Sequence, residues 1–544
     1  MKKNRASNAQ PSLWDGLPRP SREARLAFLS ALLMGFIVHL SVFSNLIINH
    51  DGTVSIRSAN EHLTSGRWAL SFFSRFSGIY ELPVVLGVLS VLALAGTAAL
   101  TVRVLDLRDP ASILLTSGFL VSFPTVACIF PYLYTADAYF FALLLNAAGV
   151  WAAKRWRFGW LAAAACFTLS LGIYQAFICY GVGLLLFDCI LALYHNEKVA
   201  AVCRRGGFYL LAIALSLVAY RVVLALRLAA AGLELSSYRG MDGAINSGVM
   251  DYLRAAPNAY LEFVRFLWNP PYTAGWPRRF QVLLFAFAAA CAVFLIVVRK
   301  IYREPLRLGL MVLGAALIPP ALNLISIIAA GSTETNIVQW YAFVLAFVLV
   351  VKVLELTVRQ CFQLFKAPAK PGKVRNLSGL AARFWKAPIF GALLVCAWLV
   401  WENFMVTNAG YLHMQLVYEN SYSVANRILT HVEAMDEYTQ DTPVVLAGSA
   451  KYINNNIALF PELRQFAGMD TSLINSYCGA SFFQVFLGAN KANASPEQRQ
   501  DLVDSGVLDA MPCYPEKGSI QYYDGMILVK LSDNYAYDLV RFPG

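Results

Sequence analysis

The sequence predicts a polytopic α-helical membrane protein with a small α/β domain after its last span. Three observations predict it. Of 544 residues, 58% are hydrophobic and only 14% charged, with a mean hydropathy of +0.54; soluble domains carry about 25% charge. Apolar stretches of about 20 residues recur, each long enough to cross a hydrocarbon core of roughly 30 Å. After Asn403 the composition changes to short apolar runs separated by polar residues.

In chain order, the apolar stretches place spans near residues 25–48, 82–104, 111–130, 135–153, 158–172, 174–194, 207–230, 280–298, 308–330, 337–357 and 388–405. That makes about eleven, with 158–194 readable either as a pair or as one long bent helix. The first span follows a polar arm over residues 1–24 and is long, which argues against a cleaved signal peptide. Lys and Arg fix the orientation. The arm holds Lys2, Lys3, Arg5, Arg19, Arg22 and Arg25. Lys154 to Arg157, Arg204-Arg205, Arg299-Lys300 and the stretch from Lys366 to Lys386 are basic too, whereas 131–136, 172–175 and 331–336 contain neither residue. The N-terminus is therefore expected on the cytoplasmic side, with 49–80, 231–279 and 406–544 facing out. The net charge of +11 is mostly this topology signal; basic residues spread over separate loops do not form a nucleic-acid surface.

The basic, Pro-containing segment 366–387 reads as a flexible inward loop. Beyond the last span, Leu416, Val417, Val424, Ile428, Leu429 and Val432 have helical spacing over 415–437. Thr442 to Gly448 reads as a buried strand ending in a turn, and Ile527 to Leu531 as a second strand. About 135 residues suffice for a modest core of their own. Cys478 and Cys513 lie alone in this outward region, where an oxidising compartment would let them pair. No CxxC or His/Cys grouping suggests zinc.

The polar loop after the first span is the most informative segment. Asp51 stands where the chain leaves the bilayer, with Gly52 leaving access open: it is a candidate general base, or else a solvated carboxylate or helix cap. Arg67 offers a guanidinium fork suited to phosphate, or a cation snorkelling beside Trp68. Glu61 lies ten residues after Asp51, close to three helical turns, so a short helix would show both on one face; alone it is a solvated residue. Asp137 ends the turn Phe130-Pro-Tyr-Leu-Tyr-Thr-Ala, an acid at the mouth of the fourth span that serves either function or a helix cap. Tyr174 and Gln175, at the next outward turn, are able to hydrogen-bond a sugar or simply end a helix. Arg239, Arg278, Arg279 and Lys451 are further outward cations, each a phosphate contact or a solvated charge. His413 reads as structural. Trp268, Pro270, Pro271, Tyr272 and Trp276 make the loop 231–279 an interfacial aromatic belt, or a lip lining lipid access. Walker and GxGxxG motifs are absent, so this chain is not expected to hydrolyse nucleotides. The sequence calls for no cofactor; without an outward Asp-x-Asp pair the case for a divalent metal is weak, though left open.

With these residues laid out, the chain resembles the GtrII-type glucosyltransferases, multi-span enzymes of O-antigen modification. The likeness lies in His50-Asp51 followed by Gly66-Arg67, in Tyr174-Gln175-Ala176, and in Met511 to Ile520 with the closing Ile527 to Leu531. It implies a GT-C-like membrane fold. It also implies a polyprenyl-phosphate sugar donor, undecaprenyl phosphate glucose, and a lipid-linked glycan acceptor on the periplasmic side of a bacterial inner membrane. A separate donor synthase and a flippase would be its partners. The family's acidic pair has His50 in its first position here, which leaves Asp51 as the pair's only carboxylate. On this reading Asp51 is the base, Arg67 with Arg239 or Lys451 holds the phosphate, and Glu61, Asp137, Tyr174 and Gln175 hold sugar and acceptor. A flippase would want ionisable groups near mid-bilayer and repeat symmetry; Asp188 and Arg221 are the clearest such charges, and there is no repeat. An O-antigen polymerase is the nearer alternative.

Overall fold

The computed structural model describes residues 20–55, 62–76, 80–235, 249–268, 276–328, 337–366, 375–450, 472–489, 494–536 and 539. Among them, nine helices are long and apolar enough to cross a membrane, beside one small sheet. The starts of the helices follow from local chemistry. Helix α1 (Arg22–Ser44) opens on Ser21, whose side chain accepts from the Ala24 N–H at 3.2 Å. After α2 (His50–Ser55) and α3 (Leu70–Phe76), helix α4 (Pro83–Val104) begins on proline, which lacks the N–H that a first turn leaves unpaired. Helix α5 (Pro110–Ser122) adds an Asp109 cap to the same device, and α6 (Pro124–Ile129) completes that span. The bundle continues through α7 (Leu133–Arg155), α8 (Gly159–Ile173), α9 (Ile178–Tyr194) and α10 (Val199–Ala231). Helix α1 packs on α4 and α5, α4 on α7, and α7 on α8.

Of the expected spans, 158–172 and 308–330 fall outside the nine. The first is α8, only 15 residues long, but it is a helix separate from α9, so 158–194 is a pair. The second is broken into α13 (Pro305–Ala316), α14 (Ile318–Leu322) and α15 (Leu324–Ile328). Pro319 and Pro320 remove two ladder donors where it breaks. Asn323 and Ser326, freed by the break, both donate to the Glu262 carboxylate, at 2.7 and 2.6 Å. Glu262 belongs to α11 (Val249–Trp268), whose Phe263 and Phe266 pack on Phe343 while Leu253, Leu261 and Val264 remain exposed. Helix α12 (Trp276–Val298) follows, and α16 (Val344–Lys366) comes after the break. At the basic end of the bundle, Asp188 is buried between Lys154 at 2.7 Å, Arg205 at 3.2 Å and the Tyr209 hydroxyl at 2.8 Å. It is a clamp that joins α9 to α7 and α10. Arg221 is exposed, with Tyr252 at 3.5 Å.

Helix α17 runs from Arg375 to Glu433 as one 59-residue element, about 88 Å at 1.5 Å per residue. Two expectations change here. The loop 366–387 is helical from Arg375 onward, and no break separates the last span from the helix expected over 415–437. Between them, Asn408 donates to Val38 O and Phe404 O, and the Tyr411 hydroxyl meets His39 Nδ1 at 2.7 Å. These bonds hold α17 against α1, and no proline interrupts its ladder there. The far end of α17 enters the C-terminal core: Val424, Ile428 and Val432 pack with Leu446, Phe482, Ile527 and Val529.

That core contains a three-stranded sheet ordered β1-β3-β2, from β1 (Val444–Ala447), β2 (Ile520–Tyr523) and β3 (Met526–Lys530). The first pair is parallel, with Val444 opposite Ile527, and the second antiparallel. Both expected strands are present. Buried on both faces, β3 shows an apolar run rather than alternation. Helices α18 (Gly479–Phe486), α19 (Pro496–Ser505) and α20 (Val507–Ala510) surround the sheet. Cys478 and Cys513 are both free thiols, so the expected pair is not formed. The Cys478 thiol is buried against Leu473 O and Asn475 Oδ1, each at 3.4 Å, while Cys513 sits near Asp533.

Candidate functional site

The chain leaves α1 at Asn45 and re-enters helix at His50. Asn49 caps α2, its Oδ1 accepting from the Gly52 N–H at 2.8 Å. Asp51 is therefore not the cap, and its carboxylate is available for chemistry. His50 Nε2 lies 3.6 Å from Asp51 Oδ1. The same oxygen accepts a hydrogen bond from the Tyr477 hydroxyl at 2.9 Å. Tyr477 comes from the C-terminal region, on a turn that Ser476 ties to Leu446 O and Gly448 O and that Asn475 shapes from within. Asn475 Oδ1 accepts from the backbone N–H groups of Tyr477 and Cys478, and Asn475 Nδ2 donates to Ser472 O.

Arg67 is presented by a second turn, just after the 3₁₀ segment His62–Ser65. Gly66 takes a φ of 79°, in the left-handed region that disfavours a side chain, and turns the chain so that the Arg67 N–H reaches His62 O. Gln175 Nε2 donates to Ser65 O and to the Tyr220 hydroxyl, and Tyr220 donates to Gly66 O. Gln175 thus serves the turn that carries Arg67. The guanidinium lies 4.9 Å over the Tyr174 ring and donates to the Tyr139 hydroxyl at 3.0 Å. Tyr139 and Tyr174 stack at 4.7 Å. An arginine held by ring and hydroxyl is preorganised, which lessens the entropy lost on gripping an anion.

The two turns meet around His62 and Tyr134, on both of which the charges of Asp51 and Arg67 act. His62 lies 6.1 Å from the Tyr134 ring. Burial, then the Arg67 charge, lower its pKa to about 4, partly offset by Asp51, so His62 is neutral at neutral pH. Glu81, just before α4, is buried against α2, and burial pushes its carboxyl up to about 8. Asp137 is buried on α7, one turn beyond Tyr134; the cap position of α7 belongs to Tyr132, which excludes that role for Asp137. The site thus gathers Asp51, Arg67, Tyr174, Gln175, His62, Tyr134, Tyr139, Glu81 and Tyr477 at one end of the bundle.

Other expected residues lie elsewhere or outside the described set. Glu61, Arg239, Tyr272 and Lys451 are not among the described residues, nor is the side chain of Trp276. Trp268 is exposed at the end of α11, its carbonyl accepting from Arg278 Nε at 2.6 Å.

A membrane-spanning helical bundle with a carboxylate and a braced guanidinium at one end defines the class. Residues 40–351, more than half of the chain, match the glucosyl transferase GtrII family, so the chain belongs to that family and is a glycosyltransferase. No curated relative and no solved structure matches the chain.

Proposed function

We propose that this chain transfers glucose from a polyprenyl-phosphate donor, undecaprenyl phosphate glucose, to a hydroxyl of a lipid-linked O-antigen or similar surface glycan. The work is placed on the periplasmic side of a bacterial inner membrane, with the N-terminus cytoplasmic and the C-terminal domain periplasmic. One observation carries the reading: a carboxylate, Asp51, held by the Tyr477 hydroxyl, and a guanidinium, Arg67, braced by the Tyr139 hydroxyl and the Tyr174 ring, stand on separate turns at one end of the bundle. A base and an anion-holding cation at one bundle end are the two groups this transfer needs.

Asp51 takes the proton of the acceptor hydroxyl. The oxygen attacks the anomeric carbon, and the bond from that carbon to the phosphate oxygen breaks with its electron pair going to the phosphate. Arg67 stabilises the charge that the departing polyprenyl phosphate acquires. Asp137 would hold sugar hydroxyls, and the exposed apolar face of α11 would guide the lipid. The donor synthase and the flippase are separate proteins in this scheme.

Asp51→Asn keeps the shape of the side chain and removes the base. It is expected to insert and fold normally while transfer falls by roughly 10²–10⁴-fold, the usual worth of general-base catalysis. The assay uses the purified protein, radiolabelled undecaprenyl phosphate glucose and the lipid-linked glycan; full activity in this variant would remove Asp51 from the mechanism. In cells, deleting the gene should remove one hexose per repeat with the glycan ladder intact, whereas a shortened ladder would indicate polymerisation instead.

A further inference from the structure

Glu81 has no role in the steps above, yet it is among the most constrained polar groups of the site. Its side chain is 6% exposed. The backbone N–H of Tyr134 lies close enough to act on the carboxyl, but among the described residues neither of its oxygens meets strict hydrogen-bond geometry. A Cβ built on Gly52 would stand 2.9 Å from Oε1 and 3.3 Å from Oε2, so the carboxyl lies across the bare backbone of α2, one residue from Asp51. Only glycine at position 52 permits that approach. One marginal donor cannot serve two buried oxygens, and a buried polar atom left without a partner costs on the order of 1–3 kcal/mol. Such a group beside a reactive centre points to a partner delivered by the substrate.

We propose that Glu81 is a substrate-binding residue, a neutral carboxyl that hydrogen-bonds a sugar hydroxyl of the donor or the acceptor beside Asp51. This rests on the reading of the site as one of sugar transfer. A neutral carboxyl presents one O–H donor and one carbonyl acceptor, and a hydroxyl both gives and takes a hydrogen bond. A phosphate oxygen only accepts, so it would use half of the group. Burial keeps the proton on Glu81 through neutral pH, opposed by a backbone hydrogen bond from Tyr134. Neutrality also avoids setting a second negative charge next to Asp51. The titratable groups around Glu81 are Asp51 and His50 on α2 and Tyr134 on α7, and Tyr134 in turn senses Arg67 and Tyr139.

Glu81→Gln retains a donor and an acceptor but never ionises; Glu81→Leu retains neither. In the full-length protein, Glu81→Gln should keep transfer within about threefold of wild type at pH 7. It should also hold that activity above pH 8, where wild type declines as Glu81 ionises. Glu81→Leu should lose about tenfold or more, mainly through KM, and whether the donor or the acceptor KM rises tells which sugar is held. Loss in Glu81→Gln as deep as in Asp51→Asn would mean that the ionised carboxylate is required and would overturn the proposal. So would a fully active Glu81→Leu. A second readout does not depend on turnover: infrared difference spectra of the carboxylic C=O band, assigned by its absence in Glu81→Gln. The band should shift on adding undecaprenyl phosphate glucose or the lipid-linked glycan, and not with undecaprenyl phosphate alone. A shift with the bare phosphate lipid, or none with either sugar-bearing lipid, rejects the assignment. Failure of wild type to transfer glucose, with the sugar-dependent shift intact, would instead reject the functional reading.

Discussion

Tyr477 reaches Asp51 across 426 positions of sequence, and one hydroxyl makes that contact. Tyr477→Phe removes it and leaves the ring that faces His50. A hydrogen bond to a charged group is worth about 1.5–3 kcal/mol, so turnover should fall by about tenfold or more while the protein folds as before; the transfer assay measures it, and unchanged kcat would make the contact incidental. His62 and Glu81 make a separate prediction about pH. The folded chain resists protonating His62 down to about 4 against an ordinary 6.5, so stability rises with pH between those values. Glu81 keeps its proton up to about 8 against an ordinary 4.5, so its contribution is complete below 4.5 and is lost as pH climbs to 8. The two effects oppose each other from 4.5 to 6.5, and above that Glu81 acts alone. The thermal midpoint in detergent should therefore fall between pH 6.5 and 8 in wild type and stay flat in Glu81→Gln. Asp51 and Arg67 were legible in the sequence because a charge beside an apolar span stands out against its surroundings. Glu81 gave a fainter sign, an acid two residues before the proline that opens α4. Tyr477 gave none, because its importance comes from a tertiary contact that no local pattern encodes.

At the scale of elements, hydropathy marks the apolar stretches well and their continuity poorly. The broken span α13–α14–α15 is as apolar as an unbroken one; Pro319-Pro320 was the available signal, and the Glu262 partners appear only in three dimensions. The fusion of the last span with the following helix was hidden for the opposite reason, since the change of composition after Asn403 marks an exit from the membrane and says nothing of whether the helix stops there. The turn 472–478 supplies a further test. Because Asn475 holds the Tyr477 N–H while Ser476 ties the same turn to Leu446 and Gly448, Asn475→Ala should reduce transfer, by no more than Tyr477→Phe does, and destabilise the C-terminal core besides. The thiols there can be counted directly. A maleimide polymer added without reductant should label the half-exposed Cys513 in the native protein and the buried Cys478 only after denaturation. If both resist until a reductant is added, they are joined after all.

At the scale of the whole molecule, the family match ends at residue 351, within α16, yet the site is completed by Tyr477 far beyond it. The bundle supplies Asp51 and Arg67, and the C-terminal region supplies a hydroxyl to the first of them. Sequence patterning revealed both parts but not that they share a site, since neither hydropathy nor strand alternation says where one folded unit rests on another. What joins them is α17, a single helix from Arg375 to Glu433. Its middle is locked to α1 by Asn408 and Tyr411, and its C-terminal end is locked into the sheet's core by Val424 and Ile428. A continuous helix locked at two places along its length transmits rotation between them: it sets the azimuth of the upper unit as a shaft sets a dial. One residue inserted after Gln415 would turn that dial by about 100° and raise it only about 1.5 Å. Seven inserted residues would nearly restore the phase but raise it about 10 Å. Both insertions should abolish the Tyr477 contact and lower transfer while each unit stays folded, so the register of a helix remote from the chemistry would act as a timing mark for the active site.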